Sequence, residues 1–544
     1  MGTNSLLVSM AGVPKILSDF IPDNGLAILA SCLKENNHDT KILDFNTPDT
    51  LEMVFEDTSL KDIKYIAEKV FIEKRKVSIF DVMKLKKLSG RLEKQAQRVF
   101  EEITDDVCRL VKENSIDWVG IKLWAGDGFK YSLHLAEKLK RKCPGIKLFG
   151  GGPQVDIFQD EIFNITDDFD VLCFGEGEET IVALADFVEG KKDLDNIPNI
   201  IFRKNGAVVK TKRKFIENLN LLPLPEYAAD VYTGIENKIK MFVIDESRGC
   251  KNYCAFCIHP VKSGRLRKKN PARIVKELEQ FFSNHGVHLF RYAGSSTPAD
   301  IIEETANCIL EKNLNIAYTC FGHFEEMKDV DFHRVRNSGC GSIFFGLESA
   351  SPEILEKAMH KKTSLSVAET VIEKCKKAGI FTVVSVIYPA PFENEKTRKE
   401  TMDFLIKTRP DSVLVQFPGL YPQTVWGKNP SEFNFTVETD SYAASVMTYQ
   451  IKQFFPPRYW KPLPYRVNGK SFKEYAAETE RFQKELNEKG LATFISDEAY
   501  LLSKFSNFKS TKEFIDKNRY FLFAGLADEI RKEISSINNR VSKE

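Results

Sequence analysis

The sequence predicts an α/β protein: an open, mostly parallel sheet, then a partial barrel of six βα units, then a mostly helical C-terminal region. Three observations predict it. Apolar strands of the buried, parallel type alternate with helical periodicity from SLLVS (5–9) to about residue 215. The Pro-containing stretch ENLNLLPLPEY (217–227) interrupts that alternation, which restarts at 241. Past 420 the pattern changes to Pro- and aromatic-rich loops, followed by helices over 470–490 and 523–538. The domains expected are 1–215, a linker over 216–240, a barrel over 241–420, and a substrate-facing or capping region over 421–544.

Within the first domain, LAILASCLKENN (26–37) has helical spacing and DTKILDF (39–45) reads as a second strand. Residues 51–113 carry dense Lys and Glu among apolar residues, with one Gly and no Pro, so they predict two or three inserted amphipathic helices. Strand WVGIKLW (118–124), a helix to about 142, strand IKLFGGG (146–152) and DVLCFGEGEETI (170–181) follow. In IIFRKNGAVVK, Asn205-Gly206 between alternating apolar residues predicts a type I′ hairpin. The barrel strands are expected near 241–247, 288–293, 315–321, 342–348, 380–388 and 411–417.

Composition excludes more than it assigns. The 544 residues carry 78 Lys plus Arg against 77 Asp plus Glu, a formal net charge of +1. That balance gives no electrostatic footprint for a nucleic-acid partner, and none is expected. No apolar run approaches the ~18–20 residues of a membrane span, so no transmembrane segment is expected. The start, MGTNSLLVSM, lacks a basic region followed by a long apolar one, and the expected location is cytoplasmic.

The 11 cysteines are unevenly placed, with none after Cys375. Cys250, Cys254 and Cys257 fall together in RGCKNYCAFCIHP, just after the first barrel strand, where barrel chemistry sits. Chance would produce that spacing about 0.004 times in such a chain. The remaining cysteines are scattered singly and read as small buried hydrophobes. Three thiolates at C-x3-C-x2-C can hold three irons of a 4Fe–4S cluster and leave the fourth iron open to a small molecule. Zinc is the alternative, with His259 completing a Cys3His set.

The cysteine loop, including Phe256 before its last cysteine, resembles the signature of the radical S-adenosylmethionine (SAM) superfamily. The resemblance extends over 241–420: FRYAGSSTP (290–298), FFGLESAS (344–351), AMHKKTS (358–364) and AGIFTVVSVIYPAPFENEKT (378–397) each match a family segment in order. YPAPFEN departs from the family's common Gly-x-Pro-Gly-Glu pattern. The resemblance implies a 4Fe–4S cluster on Cys250, Cys254 and Cys257 as the catalytic and metal-binding residues. It also implies SAM contacts from Gly294, Ser295, Ser296, Glu348 and Ser349.

Upstream, PDNGLAILASCLKENNHDTKILDF (22–45), FGGGPQV (149–155) and DVLCFGEGEETI resemble the cobalamin-binding (B12) domain that precedes the barrel in one large class of these enzymes. Open sheets bind ligands at the C-terminal ends of their strands. The resemblance therefore implies a corrin site built from Lys122, Trp124, Gly150, Gly151, Gly152, Gly175, Glu176 and Gly177. The Asp-x-His-x-x-Gly element that supplies an axial histidine elsewhere is absent, which leaves Trp124 as a candidate for the lower face of cobalt. A core tryptophan is the alternative reading of that residue.

The function implied is cobalamin-dependent radical SAM methylation of an unactivated carbon, by way of a 5′-deoxyadenosyl radical and methylcobalamin. Alternatives are a non-methylating cyclisation or rearrangement with the same cofactors, or a binding protein with a zinc knuckle. The partners expected are a small-molecule, lipid or peptide substrate and a low-potential electron donor such as flavodoxin or ferredoxin. PGLYPQTVWGKNP (418–430) and FFPPRYWKPLPY (454–465) concentrate Tyr, Trp and Pro. Their Trp426 and Trp460 either line a substrate pocket or anchor the C-terminal helices.

Overall fold

Alternating apolar strands and amphipathic helices resolve into two main sheets in the computed structural model, which describes residues 2–56, 61–450 and 457–541. The chain divides into two compact units. One gathers Met1–Lys214, Pro223–Lys240 and Phe505–Arg540; the other gathers Phe215–Leu222 and Met241–Lys504.

The first unit holds β1 (Asn4–Ser9), β2 (Asp39–Asp44), β3 (Trp118–Lys122), β4 (Lys147–Gly151), β5 (Val171–Cys173), β6 (Ile200–Lys204), β7 (Ala207–Lys210) and β8 (Tyr232–Thr233). They lie in the order β7-β6-β5-β4-β3-β1-β2-β8. Strands β8 through β5 run parallel, and β6 and β7 add an antiparallel hairpin at one edge. Asn205 at φ 51° and Gly206 at φ 82° close that hairpin, as a type I′ turn requires. Leu6, Leu7 and Val8 on β1 are buried because helices cover both faces of its parallel sheet.

Between β2 and β3 the insertion is helical, with Pro48–Phe55 and Lys61–Ala67 followed by the 35-residue helix Ile79–Glu113. Ser78 and Asp81 form a capping box at the start of that helix. Its Leu88, Ala96, Phe100, Ile103 and Val107 make a buried stripe at helical spacing, and Phe100 stacks on Tyr131 at 3.9 Å.

Two expected boundaries are corrected. The stretch 216–240 is not a free linker: its second half belongs to the first unit, where β8 pairs with β2 and Lys238 forms a buried ion pair with Asp44 at 2.7 Å. The segment 421–544 is not one region either, because Phe505–Arg540 clusters with the first unit.

The second unit begins with β9 (Met241–Ile244) and the short pair β10 (Ser247–Arg248) and β11 (Arg267–Lys268). Then come β12 (Leu289–Tyr292), β13 (Ala317–Gly322), β14 (Cys340–Glu348), β15 (Phe381–Ile387) and β16 (Ser412–Gln416). A small antiparallel pair, β17 (Phe435–Val437) and β18 (Tyr465–Val467), completes it. The six strands β9 and β12–β16 form one parallel sheet in barrel order.

Period-2 alternation sorts the side chains of this sheet. Phe242 and Phe290 pack on Phe281 of the helix Pro271–His285, and the Tyr318 hydroxyl lies 2.8 Å from Ser338 Oγ beside the helix Phe332–Asn337. The intervening residues face the other side. There Arg291 pairs with Glu498 at 2.5 Å and Thr319 Oγ1 donates to Asp497 at 3.0 Å, so the helix Asp497–Lys504 closes the floor of the concave face. Among the described residues no helix is long and apolar enough to cross a membrane.

Candidate active site

The three-cysteine loop leaves β10 through a reversal that only glycine permits. Gly249 sits at φ 81°, and a Cβ there would collide with the carbonyls of Arg265 and Gly264. Cys250 N–H then donates to Gly264 O at 3.3 Å, and Cys257 N–H to Cys254 O at 3.0 Å. The middle of the loop is fastened from two sides, with Ala255 N–H donating to Met359 O at 2.9 Å and Trp426 N–H to Ala255 O at 3.1 Å. Trp426 is fully buried, its indole N–H donates to Ala358 O at 2.7 Å, and Phe256 lies 5.8 Å from its ring. Trp426 is thus an anchor of the cysteine loop. Trp460 packs at 6.1 Å from Phe417 and 6.4 Å from Tyr449 in the same aromatic cluster; residues 454–456 lie outside the described residues.

Cys250, Cys254 and Cys257 are half-buried free thiols. Burial pushes Cys254 up to about 11 and Cys257 up to about 12, and the neighbouring cysteines add to both shifts. Ionising Cys254 and Cys257 against that penalty is favoured by a cation beside them, and iron is such a cation. Zinc with 2.3 Å bonds would need its sulfurs about 3.8 Å apart. Among the described residues, the group whose ligand atoms all lie within 4.8 Å of one another is His38, Asp186 and Glu189, not the cysteines with His259. His38 Nδ1 accepts from Thr3 N–H at 3.1 Å, which commits that nitrogen to the fold.

After β12, the loop of Gly294, Ser295 and Ser296 expected to contact SAM is organised by Glu246, which sequence reasoning did not single out. This fully buried carboxylate accepts from Ala293 N–H at 3.0 Å, Gly294 N–H at 3.0 Å and Thr297 Oγ1 at 2.7 Å. Burial raises its carboxyl to about 7 against the pull of those donors. A Cβ at Gly294 would strike Ser247 Oγ and the Glu246 carboxylate, so Gly294 is required by packing. Ser295 is half-buried, and Ser296 Oγ is buried with no partner.

At the end of β14, Glu348 has φ 68° and the register with β15 shifts between Gly346 and Glu348. This bulge turns the Glu348 carboxylate toward Lys361, whose ammonium lies 3.0 Å away and also donates to Gly346 O at 2.6 Å. Burial pulls the Lys361 ammonium down, but Glu348 and Cys254 together hold it above its ordinary value. Ser349 differs from expectation. It is 2% exposed, its Oγ lies 3.1 Å from Thr401 Oγ1 and it accepts from Ser351 N–H at 3.1 Å, so it braces the strand end.

Immediately after β13 stands His323, also missed in the sequence because no local spacing marks it. It is 8% exposed and neither ring nitrogen has a partner. Burial, with Lys361 and Lys251 nearby, brings its imidazole down to about 4. Asn252 Nδ2, Ser296 Oγ, both nitrogens of His323 and Thr363 Oγ1 are all buried and unpartnered, and all belong to the loops at the C-terminal ends of the barrel strands. Native folds pair such groups with protein, water or ligand, so a polar ligand entering these loops would find partners there.

In the first unit the expected corrin residues share the C-terminal edge of its sheet. Lys122 pairs with Asp23 at 2.6 Å and lies 4.3 Å from the centre of the Trp124 ring; the Trp124 indole N–H donates to Ser9 Oγ at 3.0 Å. Trp124 is half-buried and the core tryptophan is Trp118, so the core reading of Trp124 is corrected. Gly150 and Gly151 are the last two residues of β4, within the stretch 146–152 read as a strand, and a Cβ at Gly150 would press on Leu172 and Phe169. Gly152 at φ 97° and Gly175 at φ 73° make the actual turns, and Gly175 N–H donates to Asp156 Oδ1 at 2.6 Å. Glu176 is buried, and Gly177 packs on Leu29.

Comparison with known proteins agrees with this geometry. Residues 246–405 match the radical SAM superfamily model, and residues 91–185 match the B12-binding domain model. The chain is 25% identical over 336 residues to an uncharacterised methyltransferase of Pyrococcus horikoshii, covering 60% of this chain and 72% of that protein. It is 23% identical over 290 residues to the anaerobic magnesium-protoporphyrin IX monomethyl ester cyclase of Synechocystis, covering 51% of this chain and 56% of that one. Its fold is similar to that of the radical SAM methyltransferase TsrM from Kitasatospora setae, solved with cobalamin and a 4Fe–4S cluster bound. There the TM-score is 0.64 at 15% identity, over 98% of this chain and 99% of that one. The chain is therefore a radical SAM enzyme with a B12-binding domain, and its cofactors are a 4Fe–4S cluster, SAM and cobalamin.

Proposed function

We propose that this radical SAM enzyme is a methyltransferase that acts on an unactivated carbon. The single observation that carries the reading is one chain joining a half-buried, three-thiol loop at the mouth of a βα barrel to a B12-binding domain. The methyltransferase name of the Pyrococcus horikoshii relative supports it. When bound, the cluster with SAM supplies a hydrogen-abstracting radical, and cobalamin supplies a transferable methyl group.

The chain's own residues hold, orient and shield. Cys250, Cys254 and Cys257 would hold three irons, which leaves one iron for SAM. Ser296, whose hydroxyl is unpartnered in the loop that Glu246 fixes, would meet the amino-acid end of SAM. Glu348, locked to Lys361 through one oxygen, would offer its second carboxylate oxygen to a ribose hydroxyl or the amino group of SAM. In the first unit Lys122, Trp124, Gly150, Gly151, Gly152, Gly175, Glu176 and Gly177 would hold the corrin, and Trp124, which has no basic nitrogen, would offer cobalt no strong ligand.

The substrate class is a small molecule, lipid or peptide, the electron donor is a low-potential flavodoxin or ferredoxin, and the setting is the cytoplasm. A second reading, ring closure without net methylation, is supported by the cyclase relative. Product analysis separates the two: methylation releases S-adenosylhomocysteine together with 5′-deoxyadenosine, while cyclisation releases only the latter.

A further inference from the structure

We propose that the exposed face at the start of the inserted helix Ile79–Glu113 docks the enzyme onto a membrane surface rich in anionic phospholipids. The inference is independent of the methyltransferase reading and concerns residues that the site described above does not use.

Burial divides this helix into two faces. Leu85, Leu88, Ala96 and Val99 are buried on one side, where they pack within the first unit. At 3.6 residues per turn, Ile79, Phe80 and Met83 fall on the opposite side, within about one third of the circumference. They are 72%, 83% and 63% exposed. Three large apolar side chains at spacings of three and four residues touch one another along a helix. A contiguous apolar patch of this kind on a protein surface marks an interaction site.

Charge decides the kind of partner. Residues 74–98 hold nine Lys and Arg against two Asp and Glu, in a chain whose formal net charge is +1. The overall balance therefore conceals one strongly basic segment. Three of its cations are neutralised within the fold: Lys74 by Asp516 at 2.6 Å, Arg75 by Glu73 at 3.2 Å and Lys84 by Asp62 at 2.9 Å. Lys76, Lys86, Lys87, Arg91 and Lys94 are exposed and form no ion pair among the described residues. Lys86, Lys87 and Lys94 continue the same outer face, one to three turns beyond Met83.

An apolar tip bordered by unpaired lysines is complementary to an anionic bilayer. Acyl chains take up the tip, anionic headgroups meet the ammonium groups, and the methylene stems of the lysines cover the boundary between them. A folded protein is a poorer match, because lysine is depleted from such interfaces, where its strongly hydrated ammonium is costly to bury. Nucleic acid is a poorer match because Ile79 and Met83 offer its bases no stacking ring.

The test is co-sedimentation of the full, cofactor-loaded chain with sucrose-loaded vesicles. One set is phosphatidylcholine alone, and the other is equal parts of phosphatidylcholine and phosphatidylglycerol. Binding is expected only to the mixed vesicles, and added salt should weaken it. Lys86→Gln/Lys87→Gln is expected to weaken that binding on the order of thirtyfold, and Phe80→Ser about tenfold. An unchanged thermal midpoint controls for folding in both. Lys484→Gln/Lys489→Gln, exposed in the second unit, should bind as wild type does. Equal binding to the two vesicle sets, or equal weakening by this control pair, would overturn the proposal. Binding that Phe80→Ser leaves intact would show a purely electrostatic contact and overturn it as well. Binding of soluble polyuridylate as tight as that of the mixed vesicles would assign the face to a nucleic acid instead.

Discussion

Lys361 Nζ lies 3.0 Å from Glu348 Oε1, and both side chains are more than nine-tenths shielded from solvent. Removing one partner of a buried ion pair strands the other, so Lys361→Met is expected to cost about 3 kcal/mol. Denaturant unfolding of the cluster-free chain measures it. The double variant Lys361→Met/Glu348→Gln should recover most of that loss, because the pair leaves together.

Gly346 makes room for this pair, since a Cβ there would strike the Glu348 carboxylate and come within 3.0 Å of Lys361 Nζ. Gly346→Ala is expected to weaken SAM binding severalfold while iron content stays at the wild-type level. Gly90, in the long inserted helix, has nothing within 4 Å of an added Cβ. There Gly→Ala should stabilise by about 0.5–1 kcal/mol, a contrast that a thermal melt displays.

Trp426 fastens the cysteine loop through two backbone hydrogen-bonding ends and a fully buried ring. Trp426→Ala should cost about 3–5 kcal/mol and lower the iron retained per chain after anaerobic gel filtration. Trp426→Phe keeps the packing but orphans Ala358 O, and should cost about 1–3 kcal/mol with iron retained.

Burial raises the Glu246 carboxyl to about 7 from an ordinary 4.5. The folded state therefore keeps its proton where the unfolded state has lost it, so this contribution is fully present below pH 4.5 and lost as pH rises through about 7. Between those limits the stability of wild type relative to Glu246→Gln should fall by on the order of 3 kcal/mol. Denaturant midpoints across pH 4–9 check it, and the opposite slope would show that the carboxylate is ionised in the fold.

The barrel strands were legible because period-2 apolar runs and their spacing are local properties of the chain, and the cysteine loop because its three ligands sit within eight residues. The residues missed have no such local mark. Glu246 and His323 are far apart in sequence and share one end of the sheet only because its parallel strands bring their C-terminal ends side by side. The Pro-containing stretch misled for a related reason. Pro223 and Pro225 do break regular structure, but the chain beyond them returns to supply β8 as an edge strand. Amphipathic helices announce that they bury a face, not which one they bury it against, so the membership of Phe505–Arg540 in the first unit could not be read from its periodicity. The strand 146–152 was legible, but the reason it carries a small residue at Gly150, packing against Phe169 and Leu172, lies in residues distant along the chain.

The most direct test of the central claim is the nucleoside product of the full chain, reconstituted anaerobically with iron, sulfide and cobalamin and given SAM and a low-potential reductant. Methylation through both cofactors predicts S-adenosylhomocysteine and 5′-deoxyadenosine from the same sample, with 5′-deoxyadenosine abolished in the Cys250→Ala/Cys254→Ala/Cys257→Ala variant. 5′-Deoxyadenosine without S-adenosylhomocysteine would contradict the methyltransferase assignment.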